Sequence, residues 1–304
     1  MSELIGVDIG GTNVKIGVVD ENYNVVEYVK FKTNKRDINA MLSDVCGAVN
    51  TLKARFDVEC VGVGSPGRIC DGRTVIEAGN LPYDNTPVAD IIEKNTSIET
   101  FLDNDANCAL YGEKFAGKGR EVNDLILLTI GTGVGGGIMI GKKCYRGHNN
   151  RAGELGHFII DMNGRPCSCG NRGCLEQYAS VTAFVASARK AAAENPDSIL
   201  MQMADGDASR IGGRLPFKAM YRGCEVSKKV VDEYILHLAY GINSLCKIFM
   251  PEAFVLTGGI INEGEIITDL LAPHLLPEAK CFVSPLFGSA GLIGAALIKK
   301  EKSE

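Results

Sequence analysis

The sequence of 304 residues has no apolar run approaching the roughly 18 residues of a membrane span. Its N-terminus, MSELIGVDIGG, lacks the basic stretch followed by an apolar one that marks a secretory signal. No long lysine or arginine run occurs, and 32 Lys+Arg against 37 Asp+Glu give a formal net charge of −5. That balance gives no footing for a nucleic-acid partner. No GxxxxGK[ST] is present, which excludes a Walker A phosphate loop. The eleven cysteines are odd in number and lack framework spacing, which argues against a secreted disulfide scaffold. Together these absences point to a cytoplasmic protein with reduced thiols and no membrane partner. What remains is ordinary globular composition, 45% apolar and 23% charged. The length exceeds a single domain of roughly 100–200 residues, so two domains are expected, and a chain this size needs no covalent staples.

Apolar patterning predicts alternating strands and helices, hence an α/β architecture. LIGVDIG and VKIGVVD read as a hairpin joined by a Gly-Gly-Thr turn. Residues 39–56 carry Met41, Leu42, Val45, Cys46, Val49, Leu52 and Phe56 at helical spacing. VECVGVG reads as a strand, and IETFLDNDANCALYGEKF as a strand entering a helix. LILLTIG runs through a Gly-rich turn into GGIMIG. Residues 141–177 are irregular, and helices are expected over 181–194 and 227–249, stopped by Pro196 and Pro251. Residues 197–226 read as loop. AFVLTGG is a buried strand, and GSAGLIGAALIKK a closing small-residue helix. The unit of apolar strand, Gly-rich turn and apolar strand occurs at 4–20 and again at 125–141, which predicts two related domains facing each other across a cleft. Two unrelated hairpins are the alternative.

Three Gly-rich turns sit at strand ends. In the first, Asp8 is followed by Gly10, Gly11, Thr12 and Asn13. Glycine bends the backbone sharply and leaves its N–H groups open to a phosphate, while Asp8 is placed to hold a hydrated magnesium ion. Alone, such a turn is equally an ordinary hairpin. The second is Gly131, Thr132, Gly133, Val134, Gly135. It matches GxGxxG formally, but a dinucleotide fingerprint needs a helix straight after it and a strand follows here. The third, Gly258 and Gly259, can let a nucleoside lie against bare backbone.

Asp105 lies in LDNDANC, where a strand passes into a helix. A carboxylate there can take a proton from a substrate hydroxyl, or can simply cap the helix. Asn104 beside it suits a sugar. Glu154 and His157 in AGELGH, and Glu176 in CLEQY, add acceptors for adjacent hydroxyls, although either glutamate alone reads equally as a solvated surface residue. His157, Cys167, Cys169 and Cys174 fall within eighteen residues with glycines between them, which suits a closed tetrahedral zinc site with a structural role. His157 bound through one ring nitrogen would leave the other for a sugar oxygen.

DIGGT, LDNDANCALYGE, TIGTGVGGGI, AGELGH, CSCGNRGCLE and TGG, in this order from about residue 5 to residue 298, resemble the ROK family of sugar kinases, within the actin-like ATPase (ribonuclease H-like) fold. The resemblance implies a two-domain α/β fold with ATP in an interdomain cleft. In residue terms that is a small N-terminal domain at 1–117 and a large one at 118–288 carrying the loop 157–174, with the closing helix 289–304 packed back on the first. It implies ATP phosphates on the first two turns, adenosine near the third, and magnesium as cofactor. It implies Asp105 as catalytic base, sugar contacts from Asn104, Asp105, Glu154, His157 and Glu176, and structural zinc on His157, Cys167, Cys169 and Cys174. NLPYDNTP at 80–87 is expected near the sugar. The implied activity is phosphorylation of a hexose, glucose first and N-acetylmannosamine, allose, fructose or a β-glucoside next. A homodimer or homotetramer is implied as well. Repressors in the family carry a DNA-binding segment ahead of the kinase-like part, for which the position of Asp8 leaves no room. A sugar sensor without catalysis and a zinc-dependent hydrolase are the competing classes.

Overall fold

The computed structural model describes residues 2–79, 81–261 and 266–303. Asn80, the first residue of NLPYDNTP, and Glu304, the last of the expected closing helix, lie outside the described residues. In chain order the strands are β1 (Glu3–Ile9), β2 (Asn13–Val19), β3 (Val25–Lys32), β4 (Val58–Ser65), β5 (Ile69–Cys70), β6 (Thr74–Val75), β7 (Thr100–Asn104), β8 (Leu125–Ile130), β9 (Val134–Ile140), β10 (Lys143–Cys144), β11 (Ala253–Thr257) and β12 (Cys281–Val283). The helices are α1 (Ile38–Lys53), α2 (Val88–Thr96), α3 (Asp105–Ala116), α4 (Glu176–Ala179), α5 (Val181–Glu194), α6 (Ile199–Met203), α7 (Leu215–Tyr221), α8 (Glu225–Phe249), α9 (Ile266–Leu271), α10 (Ala290–Ala296) and α11 (Ile298–Ser303). Among the described residues no helix is long and apolar enough to cross a membrane.

Among the described residues two five-stranded sheets run in the orders β3-β2-β1-β4-β7 and β10-β9-β8-β11-β12. The first is antiparallel from β3 to β1 and parallel from β1 to β7. The second pairs β10 antiparallel with β9, and β11 parallel with β12. In both, the hairpin strands occupy the same places in the order, so the repeated strand–turn–strand unit of the sequence is a repeated piece of topology. The likeness reaches single positions. Residues 11–19 and 131–139 share one succession of exposed, half-buried and buried side chains.

The backbone divides into two compact units, Met1–Leu127 with Gly136–Gly153 and Ser284–Glu304, and Leu128–Gly135 with Glu154–Val283. The expected cut after residue 117 falls inside the first unit, because 118–127 and 136–153 pack with it. In the first unit α1 starts where the Asp37 carboxylate accepts the Ala40 N–H at 3.0 Å. It buries Met41, Leu42, Val45, Cys46, Val49 and Leu52 against the sheet. The helix stops at Lys53, so Phe56 packs on the same core from the following loop. The parallel strands are buried because α10 lies directly on them. A side chain at Gly6 or Gly62 would put its Cβ 2.0 Å from the Leu292 carbonyl oxygen or 1.7 Å from that of Ala295. The closing helix of the sequence reading is two short helices, and α11 is tied back by the buried pair Lys114–Glu301 at 2.6 Å.

In the second unit, 197–226, which the sequence pattern reads as loop, holds α6, α7, a 3-10 turn at Ala208–Arg210 and the start of α8. Ser198 caps α6 by accepting the Met201 N–H, and α7 begins with Pro216 near its start. Both helices are too short to show a period, so their apolar residues Leu200, Phe217 and Ala219 were indistinguishable from loop residues that tuck into a core.

α10 and α3 touch backbone to backbone, with the hypothetical Cβ of Gly294 only 1.6 Å from the Cys108 carbonyl oxygen. Gly294→Ala must push the helices apart. It should lower unfolding stability by about 1–3 kcal/mol or more, read from the urea midpoint, whereas Gly47→Ala, with nothing near its Cβ, should not lower it.

Candidate functional site

Asp8 stands at the end of β1, largely buried, with the Lys15 ammonium 3.6 Å from its Oδ2. Burial raises its carboxyl above the usual range, and the charge and hydrogen bonding of Lys15 pull the other way without cancelling it. Lys15 also donates to the Gly288 carbonyl at 2.7 Å. The turn that follows is closed by the Gly10 N–H on the Asn13 carbonyl at 3.0 Å. Thr33 braces it twice, its N–H on the Thr12 carbonyl at 3.2 Å and its hydroxyl on the Gly10 carbonyl at 2.6 Å. Thr12 itself is exposed.

The N-cap of α3 is Asn104, not Asp105. Its Oδ1 accepts the N–H groups of Ala106 at 2.9 Å and Asn107 at 3.4 Å, and its Nδ2 donates to the Gly67 carbonyl at 3.3 Å. Asp105 is the first helical residue, half-buried, with its Oδ1 2.9 Å from the Ala106 nitrogen. A side chain there lies at the positive end of the helix dipole.

Behind this pair lies a network that sequence reasoning missed. The buried Asp103 carboxylate accepts from the Asn104 N–H at 2.7 Å, Asn107 Nδ2 at 3.2 Å and the Tyr111 hydroxyl at 2.7 Å, and pairs with Arg146 at 2.7 Å. Arg146 also donates to the Tyr111 hydroxyl at 2.5 Å. Asp103 therefore fixes the strand end, the helix and the segment after β10 at one point. Nothing local in the sequence marks Arg146 as its partner, 43 positions away.

In the second unit the turn Gly131–Gly133 is closed by the Gly131 N–H on the Gly133 carbonyl at 2.9 Å. Gly135 lies within β9. Gly258 ends β11 with φ 121°, and its hypothetical Cβ would be 2.1 Å from the Ile130 carbonyl oxygen. The TGG turn thus lies against the residue before Gly131, while Gly259 has open space around it. Glu176 opens α4 and turns Oε2 to the Val134 N–H at 3.0 Å. Its own N–H donates to the Gly156 carbonyl at 2.8 Å. Glu154 is exposed, with Oε2 4.0 Å from His157 Nε2.

The other nitrogen of that ring, Nδ1, faces Cys167 Sγ at 3.5 Å, and Cys169 Sγ is 3.6 Å from Cys174 Sγ. The ligand atoms of His157, Cys167, Cys169 and Cys174 all lie within 4.8 Å of one another. A tetrahedral zinc ion, with Zn–S about 2.3 Å and Zn–N about 2.0–2.1 Å, spaces its ligand atoms roughly 3.5–3.8 Å apart, so this donor set fits one. Gln177 Nε2 donates to Cys167 Sγ at 3.4 Å. Burial pushes the Cys167 thiol up, but hydrogen bonds from Cys169, Cys174 and His157 outweigh it and bring it down to about 7. Burial, with Cys169 and Cys167 beside it, pushes Cys174 up to about 12. Gly173 is obligatory here. Its φ is 71°, and a Cβ would fall 1.6 Å from the Asp161 carbonyl oxygen.

A model of the ROK family matches residues 4–302. The glucokinase of Streptomyces coelicolor is 34% identical over 99% of this chain and 98% of its own length. The crystal structure of a ROK family glucokinase from Streptomyces griseus in complex with glucose and AMPPNP superimposes with a TM-score of 0.88 at 36% identity, covering 97% of this chain and 98% of that one. The xylose repressor of Caldicellulosiruptor bescii is 31% identical over 89% of this chain and 69% of its own length.

Removing one partner of a buried, hydrogen-bonded ion pair leaves the other charge uncompensated. Arg146→Met should therefore destabilise the protein by about 3–5 kcal/mol in urea unfolding. Asn104→Ala, which removes the helix cap and the long bond to the Gly67 carbonyl, should cost about 1–2 kcal/mol.

Proposed function

The chain belongs to the ROK family, and from that premise we propose that it transfers the γ-phosphoryl group of ATP to a hexose hydroxyl, with glucose as the preferred acceptor and the 6-hydroxyl as the attacking group. The observation that carries the reading is the first turn of α3. Asn104 takes the capping bonds, and Asp105 follows as a carboxylate at the positive end of the helix dipole. In this reading Asp105 accepts the hydroxyl proton as the sugar oxygen bonds to the γ-phosphorus, the bond from that phosphorus to the bridging oxygen breaks, and ADP leaves. Amides of the turns at 10–13 and 131–135 other than those of Gly10, Gly131 and Val134, which are bonded within the fold, take the phosphates, with Gly258 and Gly259 beside the nucleoside. Asp8 is the residue to hold a hydrated magnesium ion, which when bound supplies positive charge against the phosphates. Asn104, Glu154, His157 and Glu176 take sugar hydroxyls as paired donors and acceptors. Most of the rate gain then comes from positioning and fixed charge.

Zinc on His157, Cys167, Cys169 and Cys174 is part of the proposal, as a structural ion that orders the loop 157–174. His157 Nδ1 faces the thiols and Nε2 faces Glu154, which supports one ring serving metal and sugar. The proposed site of action is the cytoplasm, and the proposed assembly a homodimer or homotetramer. N-acetylmannosamine, allose, fructose and β-glucosides are the acceptors to test beside glucose. A sugar sensor without catalysis is the second reading, favoured by the similarity to the xylose repressor.

General-base catalysis contributes about 10²–10⁴-fold. Asp105→Asn should lose at least that much turnover in an ADP-release assay over a hexose panel, with melting temperature unchanged. Sugar binding without ADP release by the wild type would establish the sensor reading, and a nearly active Asp105→Asn would remove Asp105 from its role. Elemental analysis should find one zinc per chain. Chelation should weaken sugar binding and expose the 157–174 loop to protease, whereas a zinc hydrolase would lose its chemistry with the loop still protected.

A further inference from the structure

The turn from Gly131 to Val134 is held from outside at three successive points, all by the segment that leaves the thiol cluster. The Val181 N–H donates to the Gly131 carbonyl at 2.9 Å. The Thr182 hydroxyl donates to the Thr132 carbonyl at 2.8 Å. The Val134 N–H donates to Glu176 Oε2 at 3.0 Å. Glu176 lies two residues beyond Cys174, and its own N–H is anchored on Gly156 at 2.8 Å. Gly156 is in turn pressed against β9, its hypothetical Cβ 2.1 Å from the Val134 carbonyl oxygen. The same carboxylate lies over Gly133, where a Cβ would stand 2.3 Å from Glu176 Oε2 and make the side chain move.

We propose that Glu176 is a positioning residue for the phosphoryl donor, and that through it sugar and nucleotide binding are energetically coupled. This rests on the sugar-kinase reading above and adds to it. One carboxylate oxygen orders the donor turn, and the other is the group that reading gives to a sugar hydroxyl. A sugar that fixes the carboxylate stiffens the turn, and a nucleotide that fixes the turn stiffens the carboxylate. Linkage makes the effect reciprocal, of the order of 5- to 150-fold between the two binding constants.

Glu176→Ala and Gly133→Ala are each read on the ligand they do not face, and Thr182 variants on the brace itself. Calorimetry would measure AMPPNP alone, glucose alone and each in the presence of the other, with zinc content and melting temperature as controls. Wild type should bind AMPPNP at least about fivefold more tightly when glucose is saturating. Glu176→Ala should weaken AMPPNP alone by about three- to tenfold, and so should Thr182→Val, with Thr182→Ser restoring the affinity. Gly133→Ala, a change in the phosphate turn, should weaken glucose binding measured without nucleotide, because its methyl group displaces the carboxylate. AMPPNP affinity within twofold of wild type in Glu176→Ala, or unchanged glucose affinity in Gly133→Ala, would overturn the coupling while leaving the kinase reading in place. A wild type that binds neither glucose nor AMPPNP would overturn both.

Discussion

A turn built of glycine has to be held still. Glycine gives amide N–H groups unobstructed access to an anion, but it also loses more conformational freedom on ordering than any other residue. This chain meets the conflict in the same way in both copies of its repeat. In each, a threonine hydroxyl from outside the turn donates to a turn carbonyl, Thr33 to Gly10 at 2.6 Å and Thr182 to Thr132 at 2.8 Å. A backbone bond from the same brace reinforces it, Thr33 N–H to Thr12 at 3.2 Å and Val181 N–H to Gly131 at 2.9 Å. The braces consume carbonyls, while the Gly10, Gly131 and Val134 N–H groups are spent on bonds within the fold. Shared sheet order and shared succession of burial show how deep the duplication goes.

How much of this is legible in the sequence depends on the range of the interaction. The two hairpins, α1, α5 and α8 announce themselves because strand and helix periodicity are local. The helix spanning Val181–Glu194 matches the expected bounds because Ser180 caps one end and Asn195 the other. α6 and α7 stay hidden because five and seven residues do not complete a recognisable period. The braces are invisible for a different reason. Thr33, Thr182 and Arg146 have no local signature, and their value comes from partners 23, 50 and 43 residues away. The thiol cluster was readable because metal ligands must be chemically unusual as well as close, and three of the four fall within eight residues.

The position of Asp105 shows why a chemically sound alternative can fail on one residue of register. An acidic side chain where a strand becomes a helix is a good cap, and on composition Asn104 and Asp105 compete for that duty. The backbone decides it. Asn104 is extended, with φ −65° and ψ 145°, so its side chain folds over the first turn and takes two N–H groups. Asp105 is then the first helical residue, at the positive end of the dipole. Asp103 completes the arrangement from below. Taking the Asn104 N–H at 2.7 Å together with Tyr111 and Arg146, it locks the strand end that presents both neighbours. Three consecutive polar residues thus have three separate tasks: anchoring the backbone, capping the helix and presenting a charge.

The loop between β10 and α4 raises the opposite problem, order without a hydrophobic core. Ile159 and Met162 are exposed, and the stretch holds few of the buried apolar residues that stabilise the rest of the unit. Its shape comes instead from tight turns and from the thiol cluster, whose donor atoms converge on one point. The chain leaves this region at Cys174 and within eight residues supplies Glu176, Val181 and Thr182 to the turn from Gly131 to Val134. Any force that fixes Cys174 therefore acts on that glycine turn through a short stretch of backbone. The precision of the glycine turn depends on how firmly its braces are rooted, and the thiol cluster stands at their root.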